Sequence, residues 1–264
     1  MTIAFRKGHG TGNDFVIIDD PDGRWDLTPR LVAALCHRRF GIGADGVLRV
    51  VRDGDEWFMD YRNSDGTLAE MCGNGARVFA QHLADRGWVT DTSFPILTRG
   101  GRRLVRREPD GRVTVWMGAA TEVGDVAVSV GDRTWPAVGT LVPNPHAVAV
   151  LPTLSGLGDI TDASAGPAAV FPDGANVEFA EIKGPDRIAM RVWERGSGET
   201  LSCGTGACAV AHVHHVHHGG ADRITVEVPG GELEVTLGDD LALTGPTEFV
   251  AEGHVDPQWW QAHR

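Results

Sequence analysis

The chain has 264 residues, of which 42% are hydrophobic and 23% are charged, a composition typical of a globular protein with enough apolar side chains for a core. Its formal net charge of −12 argues against a nucleic-acid backbone or an anionic membrane surface as the main partner, although a local arginine can still bind an acidic small molecule. The first residues lack an apolar signal segment, and no apolar run approaches the roughly 18–20 residues of a membrane helix, so we expect a cytoplasmic protein with reduced thiols.

Strands dominate the predicted secondary structure. Eight short segments are rich in β-branched or aromatic residues, and Gly, Pro, Asn or Asp bounds each of them. In chain order the predicted strands are 15–20, 45–52, 56–62, 112–117, 146–151, 187–195, 223–228 and 231–237.

Three helices are predicted. The first covers 28–40 and begins with a threonine N-cap followed by proline. The other two begin at GARVFAQHLADRG, which ends at Gly87, and at GACAVAHVHHVHHGG, which ends at Gly219. Both have apolar residues at helical spacing and a glycine suited to a C-cap. We expect Cys36 and Cys208, which lie within these helices, to act as small hydrophobic side chains.

The chain carries an internal duplication. The motifs MCGNGA and SCGTGA place Cys72 and Cys203 131 positions apart, and other polar residues repeat at the same offset. The matched pairs are Asn13 with Asn144, Asp45 with Asn176, and Asn63 with Glu194. Because this period is too long for a solenoid, it predicts two related domains, 1–130 and 131–264. The Pro- and Gly-rich segment 139–145 lies near their boundary, and the C-terminal end of the chain is free to pack back onto the first domain.

A cysteine at the start of a helix suggests acid–base chemistry. The first turn presents unpaired N–H groups and the positive end of the helix dipole, which favour a thiolate and a bound carboxylate. Two such thiols on opposite faces of one carbon suit inversion of an α-carbon, in which one removes a proton and the other delivers one. Pyridoxal needs a Schiff-base lysine, and neither Lys7 nor Lys183 is an obvious candidate. The sequence therefore predicts a cofactor-independent amino-acid racemase or epimerase.

Two other readings of these residues deserve comparison. Cys72 and Cys203 could form a disulfide, but a reducing compartment argues against it. His214 and His218 are spaced to share a metal ion, but they lie at the far end of the helix from Cys203. We therefore interpret the histidine cluster 212–218 as a solvated helix end and expect no metal.

Seven motifs resemble the diaminopimelate epimerase family. They are HGTGNDFVIID, FGIGADG, NSDGTLAEMCGNGAR, PNPH, GANVEF, ERGSGETLSCGTGACA and VPGGELEV, which cover nearly the whole chain. The resemblance implies an α+β fold of two pseudosymmetric domains, each a barrel-like set of mostly antiparallel strands around a central helix, with the active site between them. It also implies interconversion of LL- and meso-diaminopimelate, for lysine and peptidoglycan synthesis, without cofactor or metal. The resemblance also implies a homodimer.

The resemblance assigns roles to individual residues. Cys72 and Cys203 become the catalytic thiols, with His146 and Glu194 placed to tune their pKa. Arg195 becomes a clamp for the distal carboxylate of the substrate. The full set of implied substrate-binding residues is Asn13, Asn63, Gly73, Asn74, Asn144, Asn176, Glu194, Arg195, Gly204 and Thr205.

Alternatives remain for some of these positions and for the substrate. Asn63 could be a turn residue, and His146 a buried histidine with satisfied hydrogen bonds. Gly46 stands where some members of the family carry a glutamine that contacts the substrate. The same fold could serve a racemase for proline, hydroxyproline or histidine, but such a substrate would leave Arg195 without a carboxylate partner. A catalytically silent relative is a third reading, against which the two cysteines argue.

Overall fold

The computed structural model describes residues 3–264 and contains eighteen strands and four helices within them. The strands are β1 (Ile3–Gly10), β2 (Asn13–Asp19), β3 (Gly46–Asp53), β4 (Glu56–Asn63), β5 (Ser93–Thr98), β6 (Gly101–Arg107), β7 (Val113–Trp116), β8 (Thr121–Val130), β9 (Arg133–Val142), β10 (Asn144–Leu151), β11 (Ser164–Gly166), β12 (Asn176–Gly184), β13 (Arg187–Glu194), β14 (Gly198–Thr200), β15 (Arg223–Val228), β16 (Gly231–Thr236), β17 (Ala242–Gly245) and β18 (Glu248–Val255). The helices are α1 (Pro29–Cys36), α2 (Gly73–Asp85), α3 (Gly204–His218) and α4 (Pro257–His263).

The chain divides into two compact units. The first unit runs up to Val115 and also includes Pro246–Arg264, and the second unit is Trp116–Gly245. The division therefore lies earlier than residue 130, because β8 forms a hairpin with β9 along its whole length. The segment 139–145 lies inside the pairing of β9 with β10, so its prolines and glycines do not mark a boundary.

The two units have the same order of strand pairings. In the first unit the antiparallel pairs are β18–β1, β1–β2, β3–β4, β5–β6 and β6–β7, and the parallel pairs are β2–β3 and β4–β5. In the second unit the antiparallel pairs are β8–β9, β9–β10, β12–β13, β15–β16 and β16–β17, and the parallel pairs are β10–β12 and β13–β15. The C-terminal strand β18 thus occupies in the first unit the position that β8 occupies in the second, since β18 pairs with β1 as β8 pairs with β9. The predicted duplication and the mostly antiparallel α+β fold are confirmed.

Each unit encloses one largely buried helix. In the first unit α2 contacts β1, β2, β3, β4 and β6, and its side chains from Val78 to Ala80 are fully buried. In the second unit α3 contacts β9, β10, β12, β13, β15 and β16, and Ala207–Ala211 are fully buried. The surrounding strands thus cover the apolar residues of both helices. Cys36 and Cys208 are buried as expected.

Helix ends follow local hydrogen bonding. Thr28 caps α1 by accepting from the N–H of Leu31 at 3.2 Å, as predicted. The helix ends at Cys36 and not at residue 40, because the His37 ring accepts the N–H groups of Arg39 and Phe40 and turns the chain. Gly219 ends α3 in the left-handed conformation, with φ of 68°.

The short helix α4 was not predicted. Asp256 caps it by accepting the N–H groups of Gln258 and Trp259 at 2.8 and 2.9 Å, and Pro257 takes the first helical position. Trp260 is buried in the core of the first unit, against Trp25. Across residues 3–264 there is no helix both long and apolar enough to span a membrane.

Candidate functional site

The first thiol lies at the start of α2. Cys72 is the N-cap residue, with φ and ψ of −141° and 118°, and its Sγ accepts the N–H of Gly75 at 3.4 Å. The next residues, Gly73 and Asn74, are buried at the start of the helix. The sequence folds in this way because an extended cysteine followed by two glycines leaves the first helical N–H groups uncovered.

Asn13 connects this thiol to an acidic residue. Its Nδ2 donates to Asp45 Oδ2 at 2.9 Å, which fixes the orientation of the amide, and Arg38 in turn donates to Asp45 Oδ1 at 2.7 Å. The carbonyl oxygen of Asn13 then accepts from Cys72 Sγ at 3.5 Å and from Asn74 Nδ2 at 3.3 Å. The first unit therefore brings three of its predicted site residues into one hydrogen-bonded network.

The second thiol has the same backbone setting. Cys203 is the N-cap of α3, with φ and ψ of −121° and 117°, and its Sγ accepts the N–H of Gly206 at 3.4 Å. The hydroxyl of Thr205 lies 3.4 Å from the same sulfur. Gly204, Thr205 and Cys203 are all buried. The two motifs thus build nearly identical helix starts.

A buried chain of polar side chains lies behind the second thiol. His146 Nδ1 is 2.6 Å from Glu178 Oε1, and His146 Nε2 is 3.1 Å from Asn144 Oδ1. The side chains of His146 and Glu178 are fully buried. Glu178 also packs against the start of α3, since a Cβ on Gly206 would lie 2.7 Å from its Oε1. His146 is therefore a buried histidine with hydrogen bonds on both ring nitrogens.

Glu194 acts directly on the second thiol. It ends β13, and its Oε1 accepts the hydroxyl of Thr200. Burial raises the pKa of the Glu194 carboxyl, and hydrogen bonds from Thr200 and Cys203 oppose this shift.

The pKa of Cys203 moves in the opposite direction from the one that its helix start predicts. Burial raises the pKa of this thiol well above its usual value, and the nearby carboxylates of Glu194 and Glu178 raise it further. The hydrogen bonds from Thr205 and the N–H of Gly206 lower the pKa by less. The prediction of a lowered pKa is wrong for Cys203 in the substrate-free protein, because desolvation and two acids outweigh the helix dipole.

Arg195 and Asn176 form a pair in the second unit. The side-chain oxygen of Asn176 accepts the backbone N–H of Arg195 at 3.0 Å and thereby fixes the loop after β13. The Arg195 side chain is exposed, and its Nη1 donates to the backbone carbonyls of Asp173 and Gly174 at 3.0 and 3.5 Å. These contacts hold the guanidinium through its Nη1 group.

Two predicted positions have evident structural roles. Asn63 ends β4, and its Nδ2 donates to the Thr67 hydroxyl at 3.0 Å within the following turn. Gly46 is required by close packing, because a Cβ there would lie 2.5 Å from the Arg62 carbonyl oxygen and 2.7 Å from Tyr61 Cε2. A glutamine at position 46 would therefore collide with β4, and in this chain the ring of Tyr61 fills that space.

The histidine cluster is held by neighbouring groups. His214 Nε2 lies 3.0 Å from the carbonyl oxygen of Gly184, and His212 and His217 both contact Glu122. Among residues 3–264 there is no group of three or more His, Cys, Asp or Glu side chains placed to hold a metal ion.

Sequence reasoning missed Glu178 and the positioning role of Asp45. Glu178 lies in GANVEF as one acid among apolar strand residues, and the offset of 131 pairs it with Val47. An acid aligned with an apolar residue of the other repeat was the available signal. Asp45 was matched with Asn176 by the offset, but its hydrogen bond to Asn13 could only be seen in the structure.

Comparison with known proteins identifies the relatives of this chain. The family model for diaminopimelate epimerase matches residues 5–123 and 141–250. A diaminopimelate epimerase of Streptomyces coelicolor is 51% identical over 97% of this chain and 96% of its own length, and one of Corynebacterium glutamicum is 46% identical over 97% and 99%. In fold, the chain resembles the crystal structure of a probable proline racemase from Agrobacterium radiobacter, with a TM-score of 0.72 and 15% identity over 97% of this chain and 93% of that one.

Proposed function

Because this chain belongs to the diaminopimelate epimerase family, we propose that it interconverts LL- and meso-diaminopimelate by a two-base mechanism with Cys72 and Cys203 as the bases. The observation that carries the proposal is the pair of matching helix starts, each with a thiol as N-cap and its sulfur 3.4 Å from an N–H of the first turn. One chain has built the same acid–base element twice, as inversion at one carbon requires.

The proton transfers follow from these groups. One cysteine enters as the thiolate and takes the α-proton, and the other enters as the thiol and gives its proton to the opposite face of the carbanion. The N–H groups at Gly73, Asn74, Gly204 and Thr205 stabilise the enediolate, since helix starts favour negative charge. After one turnover the thiolate and the thiol have exchanged places, and the same steps run in the reverse direction.

The surroundings of Cys203 suit one of the two roles. Burial, Glu194 and Glu178 raise the pKa of Cys203, which favours its thiol form and suits it to deliver the proton. The carbonyl oxygen of Asn13, whose amide is held by Asp45, accepts from the Cys72 thiol and so stabilises the protonated form of that sulfur. His146 and Glu194 belong to the surroundings of Cys203, the thiol that delivers the proton.

Substrate recognition uses the remaining residues. Arg195 binds the distal carboxylate, since a guanidinium offers a planar pair of donors to a carboxylate. Asn13, Asn63, Asn144 and Asn176 fix the register of the substrate, and Glu194 binds its ammonium group. The chemistry needs no cofactor or metal, because the two thiols supply both proton transfers.

The setting of the enzyme follows from its composition and family. We place it in the cytoplasm, as a homodimer, in lysine and peptidoglycan synthesis, with the small-molecule substrate and no nucleic acid or membrane as its partners. The two repeats of about 130 residues each supply one thiol, so neither is active alone. Light scattering of the purified protein should give twice the mass of 28.2 kDa.

Deuterium exchange tests the proposal. The protein is incubated with LL-diaminopimelate in deuterated water under reducing conditions, and the label at Cα is followed by NMR. We expect deuterium to enter Cα as the meso isomer forms, while L-proline, which lacks a distal carboxylate, exchanges no label. Absence of exchange into diaminopimelate would refute the assigned substrate.

A further inference from the structure

The polar chain behind Cys203 consists of Asn144, His146 and Glu178, and its hydrogen bonds determine which atoms carry protons. Both nitrogens of the His146 ring face oxygen atoms, Glu178 Oε1 at 2.6 Å and Asn144 Oδ1 at 3.1 Å. An amide carbonyl oxygen can only accept, so His146 Nε2 must carry a proton and donate it. Nδ1 and the Glu178 carboxylate then share one further proton, and the orientation of the ring is fixed from both sides.

Stability does not explain the presence of these buried polar side chains. The duplication pairs His146 with Phe15 and Glu178 with Val47, and both apolar residues are fully buried. The same fold therefore fills this place in the first unit with apolar side chains, which are often as stable as a buried ion pair or more so. In addition, Glu178 Oε2 is buried and has no hydrogen-bond partner among the residues that the structure describes, an arrangement that costs free energy.

The polar chain ends at a predicted substrate-binding residue. Because His146 Nε2 occupies the carbonyl oxygen of Asn144, the Nδ2 group of Asn144 is the side of the amide that can donate to a bound ligand. In the first unit Asp45 holds the equivalent Asn13 by its Nδ2, which leaves the carbonyl oxygen to face Cys72. The two asparagines are thus held by opposite ends of their amides.

We infer that Glu178 is a positioning residue, which acts through His146 to hold the Asn144 amide with its N–H groups toward the substrate. The inference rests on the proposed function, because Asn144 must bind diaminopimelate for its orientation to matter. Glu178 itself touches neither substrate nor thiol in this assignment. It makes the second unit a hydrogen-bond donor at the place where the first unit offers an acceptor.

The test compares Glu178→Gln with Glu181→Gln, a matched change on the same strand at an acid that contacts Lys183 and the loop at Leu154. Residues that only orient a catalytic ligand typically contribute about 10- to 100-fold, so we expect kcat of E178Q to fall by about that factor in both directions and E181Q to stay near wild type. In ¹⁵N-histidine NMR spectra of the substrate-free protein, the His146 signals should shift in E178Q only. Unchanged His146 signals, or unchanged kcat, would overturn the inference.

A double-mutant cycle separates positioning from a general effect on folding. If Glu178 acts through Asn144, E178Q should cause no more than about a twofold further loss of kcat in an Asn144→Ala background. Fully additive losses would contradict the assignment. Should E178Q be unfolded, Glu178→Asp keeps the charge but withdraws the oxygen from His146, and the same two measurements apply. The NMR spectra need no substrate, so a wild-type protein inactive on diaminopimelate would count against the proposed function without affecting this result.

Discussion

The starts of α2 and α3 hold their thiols in the same way but pack against different side chains. Cys72 and Cys203 each accept a helical N–H at 3.4 Å, with nearly the same backbone angles. Gly75 lies against Leu48 and Phe15, whereas Gly206 lies against the carboxylate of Glu178. Duplication preserved the element that presents the thiol, and divergence changed the side chains that set its environment.

This difference shows how one fold can place two identical groups in different surroundings. Two cysteines in the same setting would have the same pKa, and neither would be a better acid than the other. Burial and the carboxylates of Glu194 and Glu178 raise the pKa of Cys203 and favour its thiol form. Part of this asymmetry lies in Glu178, which the repeat aligns with the apolar Val47.

The largest expected effect comes from removing either thiol. Cys72→Ala and Cys203→Ala should each lower epimerisation by at least about a thousandfold in both directions, since in the proposed mechanism each removes a general acid–base group. Cys36→Ala and Cys208→Ala are matched controls, one in each unit, and should keep the wild-type rate because both side chains are buried in helix packing. Racemisation assays by chiral chromatography measure all four. A C72A or C203A protein with full activity would show that the two helix starts do not act as a pair.

Replacing the polar residues next to α3 by the apolar residues found next to α2 tests the comparison directly. The double variant H146F/E178V gives the second unit the apolar pair that Phe15 and Val47 form in the first. Activity should fall by about 100-fold or more, as expected when an active-site group loses its position. Stability toward urea should stay equal or rise by about 1–4 kcal/mol, as is common when a buried ion pair is replaced by apolar side chains. A variant that loses activity together with stability would assign the pair a structural role.

The two glycines give a smaller, purely steric test. Alanine at Gly206 would place Cβ 2.7 Å from Glu178 Oε1, whereas alanine at Gly75 would lie 3.3 Å from Leu48 Cδ2 and 3.5 Å from both Phe15 Cζ and Cys72 Cβ. Gly206→Ala should therefore destabilise the protein by about 1–3 kcal/mol, the usual cost of overpacking. Gly75→Ala should change stability little, because the gain in helix propensity of about 1 kcal/mol offsets the tighter contact. Urea unfolding of the two variants decides this; equal losses would mean that Glu178 yields as easily as Leu48.

Much of the fold could be predicted from the sequence because repeats and local signals are written in it. The offset of 131 between Cys72 and Cys203 indicates two like units, and threonine, proline and glycine mark helix ends. The division at Val115 could not be read in this way, since it depends on β18 pairing with β1 and β8 pairing with β9. Those pairings join distant or weakly patterned segments.

The sequence proposes candidate site residues but does not show their electrostatics. The motifs locate both thiols and Arg195, but a helix start alone predicts a lowered cysteine pKa. The raised pKa of Cys203 depends on burial and on Glu194 and Glu178, which approach it in the folded chain. Likewise, nothing in the local sequence shows that Tyr61 excludes a side chain at Gly46.

The smallest expected effect is a loss of stability at alkaline pH, to which each unit contributes one thiol. In the first unit burial raises the pKa of Cys36 from 9.0 to about 12, and in the second burial raises that of Cys203. Above pH 9 the unfolded chain releases these protons while the folded chain keeps them, so stability falls as the pH rises. For Cys36 the loss should be about 1 kcal/mol between pH 8 and pH 10. Urea unfolding at both pH values should therefore show a smaller decline for Cys36→Ala than for the wild type, and an equal decline would mean that Cys36 ionises in the folded protein as readily as in the unfolded one.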